Sequence, residues 1–260
     1  MLNAQGRMLT DMWVFELGSE VLLTLPATVT PAIRAHLDRF IFAEDVQVQD
    51  VSGPRGQIGV YGPRAADVVG RAAVVSLGAV AIACDEAGID GFDVFADRAS
   101  TAAVRDALLR AGAVPVTEAD LEALRIERGR PRWGADMDTD TIPLEAGIAD
   151  RAISRTKGCY VGQEIIVRVV DRGHGRVARR LVGIRFGSGP SATVPLAGAS
   201  ILSADREIGR VTSAVWSPAL ACPIALGYLH REFAEPGTVV QVGGAAAVVT
   251  ELPFVRRADA

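Results

Sequence analysis

The ten residues Arg155-Thr156-Lys157-Gly158-Cys159-Tyr160-Val161-Gly162-Gln163-Glu164 place a thiol, a phenol, an amide, a carboxylate and two cations between and beside two glycines. Such a set can move protons, attack an electrophile or hold an anion. Gly158 and Gly162 carry no Cβ, so the backbone can turn tightly or come close to a ligand there. Lys157 is the only lysine of the chain, every other basic side chain being arginine. A compact ammonium at this one place is not interchangeable with a guanidinium. Cys159 lies beside it, and if Gly162-Gln163-Glu164 opens a helix, the thiol sits just ahead of helix backbone dipoles, a setting that activates cysteines.

Composition bounds what these groups serve. At 260 residues the chain can build two or three cores. Ala72 to Cys84, its longest uncharged apolar run, is too short to span a bilayer, and the start lacks an apolar secretory segment. Three widely spaced cysteines argue for a reducing compartment, and the expectation is a cytoplasmic protein without membrane contact. Neither the cysteines nor His36, His174 and His230 have metal-ligand spacing, so no metal site is expected. From Arg125 to Arg185 thirteen basic residues face eight acidic ones, in a chain of net charge −4. A basic region inside an acidic protein points to a small anionic ligand more than to direct nucleic-acid binding.

The elements that must position the stretch follow in chain order. Residues 12–17 and 20–26 read as strands around Gly18-Ser19, Thr30-Pro31 as a helix start with Thr30 as N-cap, and 46–51 as an alternating strand. A second α+β unit follows: Gln57 to Tyr61, a helix to about Gly70, strands at Val80 to Cys84 and Phe92 to Phe95, and a helix capped by Ser100 that ends at Gly112. Cys84 and Cys222 read as packing thiols. Thr117 and Asp120 form a capping-box variant for a helix running to Arg128, with Gly129 as its C-cap. Glu127 then lies in the last turn, where the macrodipole disfavours an anion by roughly 0.3–1 kcal/mol. It is either paired with Arg125, Arg128 or Arg130, or aimed at a ligand. Ile165 to Val170 has strand propensity. After Arg179, strands at 180–186, 198–203, 207–215, 223–230, 238–242 and 245–251 predict a small antiparallel barrel.

Lys157 to Glu164 resembles the K-G-C-[YF]-x-G-Q-E signature of the YgfZ family of folate-binding proteins, relatives of the glycine-cleavage T-protein, an aminomethyltransferase. Leu2-Asn3-Ala4-Gln5-Gly6-Arg7, Arg125-x-Glu127-x-Gly129-x-Pro131, Arg172-Gly173 with Arg176 and Arg180, and Leu252-Pro253-Phe254 extend the resemblance over nearly the whole chain. It implies an α+β, T-protein-like, three-lobed fold: two antiparallel α+β subdomains and a small C-terminal β-barrel. The expected boundaries are 1–176 for a folate-binding region (about 1–55 and 56–116 as subdomains, 117–176 completing the pocket) and 177–260 for the barrel. Family members usually carry a further segment ahead of Leu2-Asn3, so a chain shortened at its start is one expectation.

The resemblance also implies tetrahydrofolate as cofactor. By motif position Glu127 would pair with the pterin and Tyr160 would offer ring surface. Lys157, Arg155 and Arg125 would meet the tail carboxylates. Gln163 and Glu164 join the cofactor-binding set, although Glu164, like Glu145, can equally brace the loop through backbone N–H groups. Cys159 separates this family from the aminomethyltransferases and is the catalytic candidate. The implied function is an accessory protein for assembly or repair of iron–sulfur proteins, including those that modify tRNA, with iron–sulfur client or assembly proteins as partners. The alternative is a tetrahydrofolate-dependent aminomethyl or methyl transferase. That chemistry needs a carboxylate for acid–base work; Asp11, Asp85 and Asp90 are the carboxylates at hand in the first half, none of them in the sequence context of the catalytic one, which weighs against the enzyme reading. Whether the protein is itself an enzyme stays open between the two.

Overall fold

A computed structural model describes residues 1–173, 175–189 and 192–256; His174 lies outside them. The chain divides into two compact units, Trp13–Leu121 and a second made of Met1–Met12 with Glu122–Ala260. The first twelve residues fold back on the later half: Leu2 and Met8 bridge, and the Met8 N–H donates to the Thr141 carbonyl over 2.9 Å.

In the Trp13–Leu121 unit, β1 (Trp13–Glu16) and β2 (Val21–Thr24) form an antiparallel hairpin. Gly18 takes φ +84° in its turn, a conformation that costs glycine little. Helix α1 (Thr30–Asp38) follows. A three-stranded antiparallel sheet has the order β3 (Arg55–Tyr61), β5 (Gly91–Asp97), β4 (Val80–Cys84). Alternation along β5 sends Val94 and Ala96 into one core with Val68 of α2 (Ala65–Ala72) and Val104 and Leu108 of α3 (Thr101–Arg110). Phe95 faces the other way and packs on Phe15 and Leu22 of the hairpin. Cys84 is buried, and burial pushes its thiol up to about 11, as expected of a packing residue. Residues 46–51 are not a strand: the segment finds no partner to complete a ladder, and Val46 is 56% exposed. Two caps also differ. Val29 precedes α1, with the Thr30 hydroxyl donating to Pro26, and Ser100 makes no side-chain cap bond.

Helix α4 (Glu118–Glu127) begins with the expected box: Asp120 accepts from the Thr117 N–H and hydroxyl, and its own N–H reaches Thr117 Oγ1. Gly129, at φ +64°, ends it. The short helix α5 (Ala149–Ala152) precedes the motif. Residues 165–170 are helical rather than extended: α6 (Gln163–Val167) runs into a π-turn, Arg168–Arg172. Packing overrides β-branched propensity here, since one helical face buries Ile166 while Val167 and Arg168 stay exposed.

The last strands close into a barrel of order β10-β11-β6-β9-β8-β7: β6 (Arg179–Phe186), β7 (Ser200–Ser203), β8 (Arg206–Ser217), β9 (Cys222–His230), β10 (Val239–Val242) and β11 (Ala245–Thr250). Closure removes sheet edges. Ile184, Ile201, Leu229 and Val240 fill the interior, and Ile126 of α4 covers Cys222, Ile224 and Leu226 on the outside. Among the described residues no helix is long and apolar enough to cross a membrane.

Candidate functional site

The motif turn is built against the start of the chain. Gly162 (φ +84°) and Gly6 (φ +71°) lie back to back, and a Cβ on Gly162 would sit 2.4 Å from the Asn3 carbonyl oxygen. Asn3 Oδ1 shapes that opposing turn by accepting the N–H groups of Gln5 and Arg7, each at 3.0 Å. Gly162 thus meets another backbone segment of the chain; Gly158, whose added Cβ would touch nothing within 4 Å, remains open. Gln163 closes the turn from both sides. Its N–H donates to the Tyr160 carbonyl over 3.2 Å, and its Oε1 accepts the Tyr160 N–H at 3.3 Å.

On the outer side of this turn, Lys157 Nζ stands 4.8 Å from the centroid of the Tyr160 ring, a cation–π contact, with exposed Cys159 between the two in sequence. Partial burial raises the Tyr160 phenol above its ordinary value. The Lys157 N–H donates to Ser154 Oγ over 3.2 Å, fixing the approach to the turn. Glu164, exposed in the first turn of α6, sits where the helix dipole favours an anion. Lys157, Cys159, Tyr160 and Gln163 therefore share one short turn.

Arg125 and Glu127 are elsewhere and are engaged. Every guanidinium N–H of Arg125 is committed: Nε and Nη2 to Glu122, Nη1 to Asp136 Oδ2 (2.7 Å) and the Arg130 carbonyl (3.0 Å), Nη2 also to Ser213 Oγ (2.8 Å). All of these donors are engaged within the chain. A β-bulge on β8 makes the network possible, because the unpaired residue at Thr212 lets both Thr212 and Ser213 face it. Glu127 Oε1 accepts the Ser217 hydroxyl and the Ala219 N–H (3.1 Å), bracing the β8–β9 turn. Its observed partner is the barrel.

Arg155 lines a cleft of ≈ 500 Å³ with Glu145, Asp150, Arg180 and Leu181. Glu145 accepts Arg179 Nε over 3.0 Å and its carbonyl accepts the Leu181 N–H over 2.8 Å, tying the wall of the cleft to β6. Of the acid–base candidates, Asp11 is partly buried. Burial raises its carboxyl above the ordinary value against the opposing charge of Arg151.

One site was not foreseen. In the Trp13–Leu121 unit, Gly59 and Gly91 leave a bare patch of sheet, and a Cβ on either would lie within 2.5 Å of Tyr61 ring atoms. The phenol lies across it and donates to Asp93 Oδ1 over 3.0 Å. Asp93 is 0% exposed, and its Oδ2 makes no hydrogen bond of ordinary geometry, with only weak approaches from the Gln57 and Cys84 side chains to the carboxylate. Burial raises its carboxyl above the ordinary value, and the phenol of Tyr61 rises too, burial leading and the charge of Asp93 adding. The available signal was the break in alternation: an acid at a core position of a strand, flanked by Gly91-Phe92 and Val94-Phe95. Because the folded-state value is raised, the folded chain holds the proton more tightly. The associated stability is present below the ordinary carboxylate value and is lost as pH rises through the raised one. Asp93→Asn is therefore expected to stabilise the protein at neutral pH by about 1–2 kcal/mol and to flatten this part of its pH–stability curve, read by thermal melts from pH 4 to 8. A lower melting temperature at pH 8 would contradict it.

Comparison with known proteins adds the following. Residues 179–256 match the glycine cleavage T-protein C-terminal barrel domain. Over 98% of its length the chain is 31% identical to an aminomethyltransferase of Saccharopolyspora erythraea, covering 75% of that protein. It is 27% identical to an aminomethyltransferase of a Nostoc species, with 100% and 74% of the two chains covered. The crystal structure of glycine cleavage system aminomethyltransferase T from Bartonella henselae superposes with a TM-score of 0.83 over 98% of this chain and 74% of that one, at 24% identity. That similarity establishes the T-protein-like fold.

Proposed function

From the premise that the chain belongs to the aminomethyltransferase family, we propose that it binds tetrahydrofolate and transfers an aminomethyl or methyl group to or from it. The observation that carries this reading is the 31% identity spread over 98% of the chain. The pterin presents a 2-amino group and a ring N–H, a donor pair that a carboxylate receives with both oxygens. Glu127, the candidate by motif position, already accepts the Ser217 hydroxyl and the Ala219 N–H on Oε1. Tetrahydrofolate, when bound, supplies the nitrogen that carries the one-carbon unit. Asp11 is the carboxylate suited to hold or release a proton, since a raised carboxyl lies closer to working pH.

The test is turnover by the purified chain of an aminomethyl donor with tetrahydrofolate, followed as methylenetetrahydrofolate together with the ammonia and the free carrier group released from the donor. Asp11→Asn should lower kcat by roughly 10²-fold or more, the usual weight of acid–base catalysis. Folate binding without any turnover would remove the transferase reading.

A second reading is favoured by one observation, the exposed Cys159 beside the Lys157–Tyr160 contact. It is a folate-binding YgfZ-type accessory factor for iron–sulfur proteins, including those that modify tRNA, acting through a reactive thiol. Here Cys159→Ala should fail to restore iron–sulfur enzyme activity in a deletion strain while leaving folate affinity unchanged. Full complementation by that variant would discard the thiol mechanism.

A further inference from the structure

We propose that Lys157 and Cys159 form a covalent site for formaldehyde, held as a methylene bridge between Nζ and Sγ. Lys157 is the one lysine of the chain, and so the one side chain that offers an amine. An ammonium can shed a proton and attack carbon, whereas a guanidinium stays protonated in proteins. Cys159 is the exposed thiol, while Cys84 and Cys222 are buried. The chain therefore sets its single side-chain amine two residues from its accessible thiol, with both residues on the surface. Gly158 leaves the gap between them open, since a Cβ there would touch nothing within 4 Å. Two residues span at most about 7 Å from Cα to Cα, within reach of a flexible four-carbon stem. The turn holds the amine without consuming it. The Lys157 backbone N–H donates to Ser154 Oγ over 3.2 Å, and Nζ rests 4.8 Å from the Tyr160 ring centroid. Gln163 fixes the residue under that ring by accepting the Tyr160 N–H at 3.3 Å. A ring face at an exposed site contributes about 0.5–1 kcal/mol, so the amine can leave it to react.

The reaction balances without oxidant or reductant. The Cys159 sulfur bonds to the carbonyl carbon and the thiol proton passes to the carbonyl oxygen, giving S–CH2–OH. The Lys157 amine, in its neutral form, then forms the C–N bond as the C–O bond breaks, and water leaves with a proton from nitrogen. The product is S–CH2–NH, and hydrolysis reverses it. Such a bridge needs a carbon that takes two single bonds in place of C=O, which an aldehyde provides and an acyl thioester does not. Formaldehyde suits the short span because it brings no substituent. The site goes beyond both readings given above, and its geometry rests on neither of them. The carbon has two sources, free formaldehyde or the methylene of a one-carbon folate.

The experiment treats the full chain with formaldehyde, then reads the intact mass and the mass of the peptide that holds residues 157 and 159. On that peptide the wild type should gain one carbon atom, formaldehyde added and water lost, and Cys159 should stop reacting with iodoacetamide. Lys157→Arg and Cys159→Ser, at surface positions that should leave the thermal melt unchanged, should show no such gain. After desalting, Lys157→Arg should also keep its thiol open to alkylation. Methylenetetrahydrofolate serves as the second donor, with and without an excess of a small-molecule formaldehyde scavenger. Bridging that survives the scavenger assigns the folate source; bridging that the scavenger abolishes, or that needs added formaldehyde, assigns the free aldehyde. A chain that binds no folate and is still bridged by formaldehyde removes the folate reading and keeps this site. No one-carbon gain in the wild type, or an equal gain in either variant, overturns the proposal.

Discussion

Arg125→Met is expected to lower the melting temperature by about 10 °C, the largest effect of any single substitution considered. The side chain is 9% exposed and satisfies two carboxylates, one hydroxyl and one carbonyl at once. Methionine fills the same volume and removes every donor. Asp136, whose side chain is 0% exposed, would keep only the Arg132 N–H and the Thr212 hydroxyl. Breaking a buried pair by deleting one partner costs about 3–5 kcal/mol because the remaining charge stays desolvated. That is a large share of the total stability of an ordinary domain, and for a unit of this size each kcal/mol moves the midpoint by roughly 2–4 °C. Arg125→Lys should recover little, since one ammonium cannot span Glu122, Asp136 and Ser213 together. A calorimetric midpoint within 2 °C or so of wild type for Arg125→Met would show that the network contributes no net stability.

Gly162→Ala is expected to loosen the motif turn from the start of the chain, and Gly158→Ala to do almost nothing. At φ +84° an alanine is strained whatever space surrounds it, at a cost of order 1–3 kcal/mol. There is no space: the added carbon would meet the Asn3 carbonyl oxygen at 2.4 Å and Gly6 Cα at 3.1 Å, both backbone atoms that cannot rotate away. Relief requires the turn over residues 3–7 to separate from α6. Amide exchange in residues 3–8 and 159–166 should quicken together, with a fall in melting temperature, while Gly158→Ala exchanges as wild type does. Coincident exchange profiles for the two variants would refute the packing account.

Much of the fold is legible locally. Gly18, Gly129 and the Thr117–Asp120 box mark element ends through short-range chemistry, and each acts as its residue type dictates. The six barrel strands are legible because period-two alternation against a closed interior leaves one register that buries Ile184, Ile201 and Leu229. The segments misread are those whose fate depends on a distant partner. Residues 46–51 alternate as a strand does but find nothing to pair with. Residues 165–170 favour strand by side-chain type, yet form a helix because burying Ile166, with Ile165 set against Gly6, outweighs a propensity worth a few tenths of a kcal/mol per residue.

The same division runs through the chemistry. By itself the sequence determined which groups stand together on the motif turn, because Lys157, Cys159, Tyr160 and Gln163 are within seven residues and a turn that short leaves little freedom. Only the tertiary structure decided which groups are free to act. Arg125 and Glu127 read from the chain as ligand-binding candidates, and Ser213 at a bulge 88 residues from Arg125, together with the β8–β9 turn, claims their hydrogen bonds. Asp93 reads as one more strand residue until the sheet buries it with an oxygen that makes no hydrogen bond of ordinary geometry. Hydrogen-bond capacity is finite and is allotted by three-dimensional neighbours, so the availability of a polar group is a property of the fold.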